Sequence, residues 1–138
     1  FEEHGLHFND EWVVECLKPD FQNGYRRTME IVREKKPDAV IAINDILALG
    51  AKKALNELVF KIPQDIAVVG YDDVIYSSIS EIPLTTVRQP IQEICKKTVE
   101  VLLKRIQRKK SSTGFHMIKP ELVIRRSTEV SLEVSAHD

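Results

Sequence analysis

Residues 38–73 read DAVIAINDILALGAKKALNELVFKIPQDIAVVGYDD, and this stretch decides the fold. Residues 39–43 form a continuous apolar run without alternation, the pattern of a strand covered on both faces. Asn44 and Asp45 end that run and open a helix. Ile46, Leu47, Gly50, Ala51, Ala54, Leu55 and Leu58 share one stripe of it, with Lys52, Lys53, Asn56 and Glu57 largely off the stripe. Residues 61–65 break the pattern, and residues 66–70 are a second buried strand that leads to Asp72 and Asp73. A strand–helix–strand crossover is right-handed and its strands are parallel. Asn44 and Asp72 therefore leave the sheet at the same carboxyl edge, where open α/β sheets bind ligands.

Outward from this unit the alternation of strand and helix continues. Residues 12–16 read as a short strand, 17–22 as a loop, and 24–35 as a helix with Tyr25, Met29 and Val32 inward. Pro37 closes that helix, because the residue before a proline avoids the helical region. Residues 71–83 read as a loop with room for one helical turn, and 84–88 as extended. Pro90 suits a first helical position, and Ile91, Ile94, Cys95, Thr98, Leu102 and Ile106 carry an apolar stripe to about residue 108. Segments 117–118 and 122–124 are strand-like on either side of Pro120, and a tail begins at Glu129. The class is α/β, an open and mainly parallel sheet with helices on both faces.

Composition narrows the function. The 138 residues hold 43% hydrophobic and 30% charged side chains at a net charge of −1, a globular balance without a nucleic-acid or membrane bias. No apolar run approaches the ~18 residues of a membrane span. Cys16 and Cys95 sit in apolar-patterned segments and read as two buried, reduced thiols, which fits a cytosolic setting. No signal peptide is visible. The chain opens on Phe1, inside what reads as the last turn of a helix capped by Gly5, as expected of a fragment.

Four motifs in order, PDAVIAINDILALGAKKAL, IPQDIAVVGYDD, IPLTTVRQP and PELVIRRST, resemble the C-terminal half of LacI/GalR-type bacterial transcriptional regulators. The resemblance runs from Glu2 to Thr128. It implies a core similar to periplasmic sugar-binding proteins, two α/β lobes with the effector between them. In that frame residues 1–83 belong to the C-terminal lobe, 84–116 are a crossover strand and helix of the other lobe, 117–128 return to the first lobe, and 129–138 are the tail. The helix after Pro90 then lacks the neighbours on which its apolar stripe would pack.

Asn44 can both donate and accept, and an ionised Asp72 accepts several hydrogen bonds, so the pair suits vicinal hydroxyls. The same residues also serve as a helix cap and a turn former. The resemblance assigns both to the effector, because the family holds its ligands with the Asn of its AND-type motif and the first Asp of its GYDD-type motif. It further points to Phe21 as an aromatic wall and leaves Gln89 facing the cleft. Asp45 and Asp73 read as structural. Gly50 reads as a close approach of helix to sheet, and Gly70 as a strand-to-turn bend. The basic run Lys104, Arg105, Arg108, Lys109 and Lys110 lies at a helix end, where cations complement the macrodipole.

Metal and catalytic patterns are missing from the sequence. His4, His7, His116 and His137 are scattered without ligand spacing, and no GxSxG, P-loop, HExxH or GxGxxG motif occurs. The acidic trio and lysine of a receiver domain do not assemble either. The expectation is a non-enzymatic chain without metal or cofactor. It binds a small effector, a sugar by resemblance, and forms a homodimer through Leu49, Tyr76 and Ile79. Operator DNA is reached only through a helix-turn-helix outside this chain, with no membrane partner. The other reading is one lobe of a solute-binding protein of a sugar transport system.

Overall fold

The structure is a computed structural model that describes residues 2–5, 9–107 and 114–129. Its elements in chain order are α1 (Phe21–Lys35), β1 (Ala39–Ile41), α2 (Asp45–Glu57), β2 (Ala67–Asp72), α3 (Ile75–Ile79), β3 (Thr85–Arg88), α4 (Ile91–Ile106) and β4 (Glu121–Val123). Short 3-10 turns at Glu2–His4 and Asp10–Trp12 precede them. The four strands form one sheet in the order β1-β2-β3-β4. β1, β2 and β3 run parallel and β4 is antiparallel to β3.

The central unit forms as its periodicity predicts, and α2 lies over the sheet. Ala48, Ala54, Leu55, Val68 and Leu84 are completely buried between them, with Val40, Ala42 and Ile82 packed alongside. α1 then packs on α2 through two glycines. An ideal Cβ on Gly24 would lie 2.2 Å from the Leu47 carbonyl oxygen, and one on Gly50 would lie 2.2 Å from that of Phe21. The close approach at Gly50 is thus helix to helix, where the sequence reading expects helix to sheet. Gly70 lies inside β2 and makes room for the Asp45 carboxylate, 2.2 Å from the ideal Cβ position; it does not mark a bend.

Other differences from the sequence reading have equally local causes. α1 begins at Phe21 because Asp20 caps it, its side chain accepting from the Asn23 N–H at 2.9 Å. Residues 12–16 are not a strand. A strand needs a neighbour, and this segment is instead tied to α1 by side chains. Arg27 donates twice to the Glu15 carbonyl, at 3.2 and 3.0 Å, and Lys35 donates to that of Glu11 at 2.9 Å. Neither cysteine is buried: Cys16 is half-buried, Cys95 exposed, and both are free.

The second face of the sheet is open. Ile41 and Ile43 are 70% and 75% exposed, so β1 is covered on one face rather than two. Segment 84–116 divides, since its strand pairs within this sheet as β3 while α4 has no buried residue. Ile94, Val101, Leu102, His116 and Ile118 line a shallow groove where α4 faces the extended segment before β4. Residues 117–118 pair with no strand, and the basic residues 108–110 and the tail from 130 lie outside the described residues. Among the described residues no helix is long and apolar enough to cross a membrane.

Candidate functional site

β2 ends in two consecutive residues of positive φ, Asp72 at 115° and Asp73 at 58°. Neither is glycine, so each conformation costs on the order of 1–3 kcal/mol and persists only where neighbours over-determine it. They do so here. The Asp73 carboxylate accepts from Arg88 Nε at 2.6 Å and Arg125 Nη2 at 2.7 Å, joining β2, β3 and the turn after β4. Burial pushes the Asp73 carboxyl upward, but hydrogen bonds from Arg88 and Arg125 outweigh it and hold the group below the usual carboxylate range.

Asp45 supports the same edge from below. It is completely buried at the first position of α2. Its Oδ2 accepts from the Val74 N–H at 2.9 Å and the Ser77 hydroxyl at 2.7 Å, and its Oδ1 from the Thr86 hydroxyl at 2.5 Å. The helix N-terminus adds its own partial positive charge. Asp45 and Asp73 are thus both structural, as the sequence reading has them.

On this platform Asp72 and Gln89 meet directly, Gln89 Nε2 donating to Asp72 Oδ1 at 2.6 Å. Asp72 Oδ2 accepts no hydrogen bond among the described residues. Asn44 does what a helix cap does, accepting from the Leu47 N–H at 2.8 Å, and its amide donates to the Pro19 carbonyl at 3.0 Å. Among the described residues, one N–H of that amide and one lone pair of its oxygen take no partner. Asn44 and Asp72 stand at the carboxyl ends of β1 and β2, the shared edge that the crossover dictates.

Phe21 opens α1, two residues after Pro19, whose carbonyl accepts from the Asn44 amide. It is 40% exposed and lines a groove of about 580 Å³ on the outer side of α2, together with Leu49, Tyr76 and Ile79. The three apolar residues expected at a subunit contact therefore share one surface. Lys52 also lines it, and the sequence reading misses its role. It lies off the helix's apolar stripe yet is only 8% exposed, because α3 and the loop after it fold over that side of α2. Its ammonium donates to the Ser80 hydroxyl at 2.8 Å and to the Ile82 carbonyl. Burial lowers its pKa to about 8, with the nearby Glu81 charge opposing that shift. Among the described residues no group of three His, Cys, Asp or Glu side chains is placed to hold a metal ion.

Comparison with known proteins places this geometry. The periplasmic binding protein-like domain matches residues 1–128. The HTH-type transcriptional repressor PurR of Histophilus somni (strain 2336) is 38% identical over 130 residues, covering 93% of this chain and 38% of that protein. The lac repressor dimer bound to operator and the anti-inducer ONPF superposes with a TM-score of 0.75 at 34% identity, over 80% of this chain and 34% of that one. A LacI family regulator from Lactobacillus casei with bound sucrose gives 0.77 at 29% identity, over 91% and 46%. The chain thus spans less than half the length of each of these relatives, which are named as transcriptional regulators and not as enzymes. With the open parallel sheet and its polar carboxyl edge, these matches show that the chain belongs to the periplasmic binding protein-like domain family, in the form carried by LacI-type transcriptional regulators.

Proposed function

We propose that this chain is the effector-binding and subunit-contact portion of a cytosolic LacI-type transcriptional repressor. A small hydroxylated molecule, a sugar, is held at the carboxyl edge by Asn44, Asp72 and Gln89. The observation that carries the reading is the Asp72 carboxylate itself. It is fixed by a strained backbone and oriented by Gln89, and its second oxygen accepts no hydrogen bond among the described residues, at the edge where such sheets take ligands. A carboxylate and two amides together can accept from and donate to neighbouring hydroxyls. Sucrose in the Lactobacillus casei relative is consistent with a sugar. Phe21 serves the outer groove with Leu49, Tyr76 and Ile79, which we assign to contact with a second copy; the lac repressor relative is a dimer. Operator contact belongs to a helix-turn-helix that the described residues do not form. Effector binding biases two arrangements of the dimer only by its differential affinity for them.

The test is a thermal-shift screen of sugars and nucleobases against the full-length parent, with Asn44→Ala, Asp72→Ala and Gln89→Ala alongside. Ligand at ~100 times its Kd stabilises the protein by about 2.7 kcal/mol. We expect one sugar to raise the melting temperature and the Asp72 and Asn44 substitutions to abolish that increment. Asn44→Ala also removes a cap worth ~1 kcal/mol, so the increment is read against each variant's own baseline. A ligand that shifts all variants equally binds elsewhere, and a nucleobase hit replaces the sugar.

A further inference from the structure

α3 is an unusual element because nothing apolar anchors it. Of its five residues only Ser77 is buried, while Ile75, Tyr76 and Ile79 are 67%, 59% and 68% exposed. Its N-cap, Val74, offers no side-chain hydrogen bond. What fastens it to the body is the Leu84 N–H, which donates to the Ser77 carbonyl at 2.7 Å, together with the hydrogen bonds of two buried side chains on α2. Asp45 takes the Val74 N–H and the Ser77 hydroxyl at the near end. Lys52 takes the Ser80 hydroxyl and the Ile82 carbonyl at the far end, and Ser80 also donates to Ile82 at 2.9 Å. Positions 45 and 52 are two helical turns apart and lie on one side of α2.

These tethers differ in kind. The Asp45 carboxylate accepts three hydrogen bonds at the N-terminus of α2. The Lys52 ammonium is buried beside a groove of mixed apolar and polar walls, with only a hydroxyl and a carbonyl as its hydrogen-bond partners. The ionisable groups that share this groove are Glu81 on the loop it fastens, Lys53 beside it on α2, and the Tyr76 hydroxyl on α3. Glu81 favours the charged lysine, while burial outweighs it.

We propose that Lys52 is a proton-sensitive fastening that seats α3 and the following loop on α2, so that the groove carrying Tyr76 and Ile79 closes more firmly as protons are withdrawn. The sign follows from linkage. Lys52 buried in the fastened state gives up its proton near pH 8, whereas a lysine released into solvent holds its proton to about 10.5. Below pH 8 both states are protonated and the fastening bears the full cost of a buried charge. Between those values the fastened state binds fewer protons, so raising the pH favours it. The fastening is complete above the solvent value and weakest at neutral pH. Whatever occupies the groove, a second copy included, meets a surface whose α3 wall is set by this equilibrium.

Native-state hydrogen exchange of the chain tests this at two amides. The Ser80 N–H bonds to the Tyr76 carbonyl and the Leu84 N–H to that of Ser77, so both exchange when α3 lifts. From about pH 7 to about pH 9.5, protection factors at Ser80 and Leu84 should rise roughly thirtyfold, an expectation from one-proton linkage. In Lys52→Met they should stay flat over the same range. Glu81→Gln removes the charge that supports the ammonium and should move the rise to lower pH, which keeps the test available if Lys52→Met folds poorly. Protection that is independent of pH in the unsubstituted chain overturns the proposal. So does equal protection at Ser80, Leu84 and the β2 amide of Val68, because exchange then needs global unfolding and α3 has no opening of its own.

Discussion

Asp73 illustrates how one side chain can hold a site it does not enter. Its carboxylate pins two arginines, one from β3 and one from the segment after β4, and so keeps Asp72 at a φ that only a well-supported aspartate tolerates. Because its folded pKa is depressed, the stability it contributes is present above the usual carboxylate range and is lost as pH falls through the folded value. Asp73→Asn should therefore lower unfolding stability at neutral pH by about 1–3 kcal/mol. The gap to the unsubstituted chain should narrow as the medium is acidified below the carboxylate range. Urea unfolding across that range checks both points, and a gap that stays constant would mean that shape rather than charge sets the clamp. At this scale the sequence was partly legible. The Asn44 cap and the ligand edge follow from residue type and position. The burial of Lys52 does not, because only the tertiary placement of α3 covers that side of α2.

Between elements, the glycine notch of α1 and α2 governs the packing. Alanine is favoured over glycine in an isolated helix by ~1 kcal/mol. Here Gly24→Ala or Gly50→Ala would drive a methyl group into a backbone carbonyl 2.2 Å away, in a place where neither helix can yield without the other. Each substitution should cost about 1–3 kcal/mol, opposite in sign to the propensity effect. Urea unfolding of the two variants measures it, and unchanged or raised stability would show that the helices separate freely. The glycine in the α2 pattern announced some close approach, but a pattern of period 3.6 cannot say what approaches. Similarly, residues 12–16 carry strand-forming side chains, yet strand formation depends on a partner that local sequence does not specify. The order strand–helix–strand was readable because its apolar run, cap and stripe all agree, while what covers β1 was not.

Across the whole molecule, apolar surface is divided unevenly. One face of the sheet is sealed by α2, while Ile41, Ile43, Leu122 and Ile124 are 58–75% exposed. A patch of this kind marks a surface that is covered in use. The chain alone should therefore self-associate as its concentration rises, and the pair Ile41→Thr and Ile43→Thr should reduce that association. Sedimentation velocity over a concentration series follows it; equal association by the double variant would leave the α2 groove, already assigned to a second copy, as the surface through which the chain associates. No reading of residues 39–43 as a doubly covered strand could reveal this, since an apolar run reports that cover is wanted and not where it comes from.

Ser127 gives the architecture an order in time. It is completely buried where β2 and β3 begin, donating to the Val68 carbonyl at 2.6 Å and accepting from the Thr85 N–H at 2.8 Å. Its own backbone takes the Val68 N–H and reaches the Pro83 carbonyl, both at 3.0 Å. This plug lies 42 residues beyond Thr85 and 59 beyond Val68 in the order of translation. A nascent chain emerging from the ribosome can build α1, β1, α2 and β2 early, but the start of the β2–β3 seam stays unsealed until the ribosome has passed Ser127. The β2–β3 seam is thus sealed by a residue made after both of its strands.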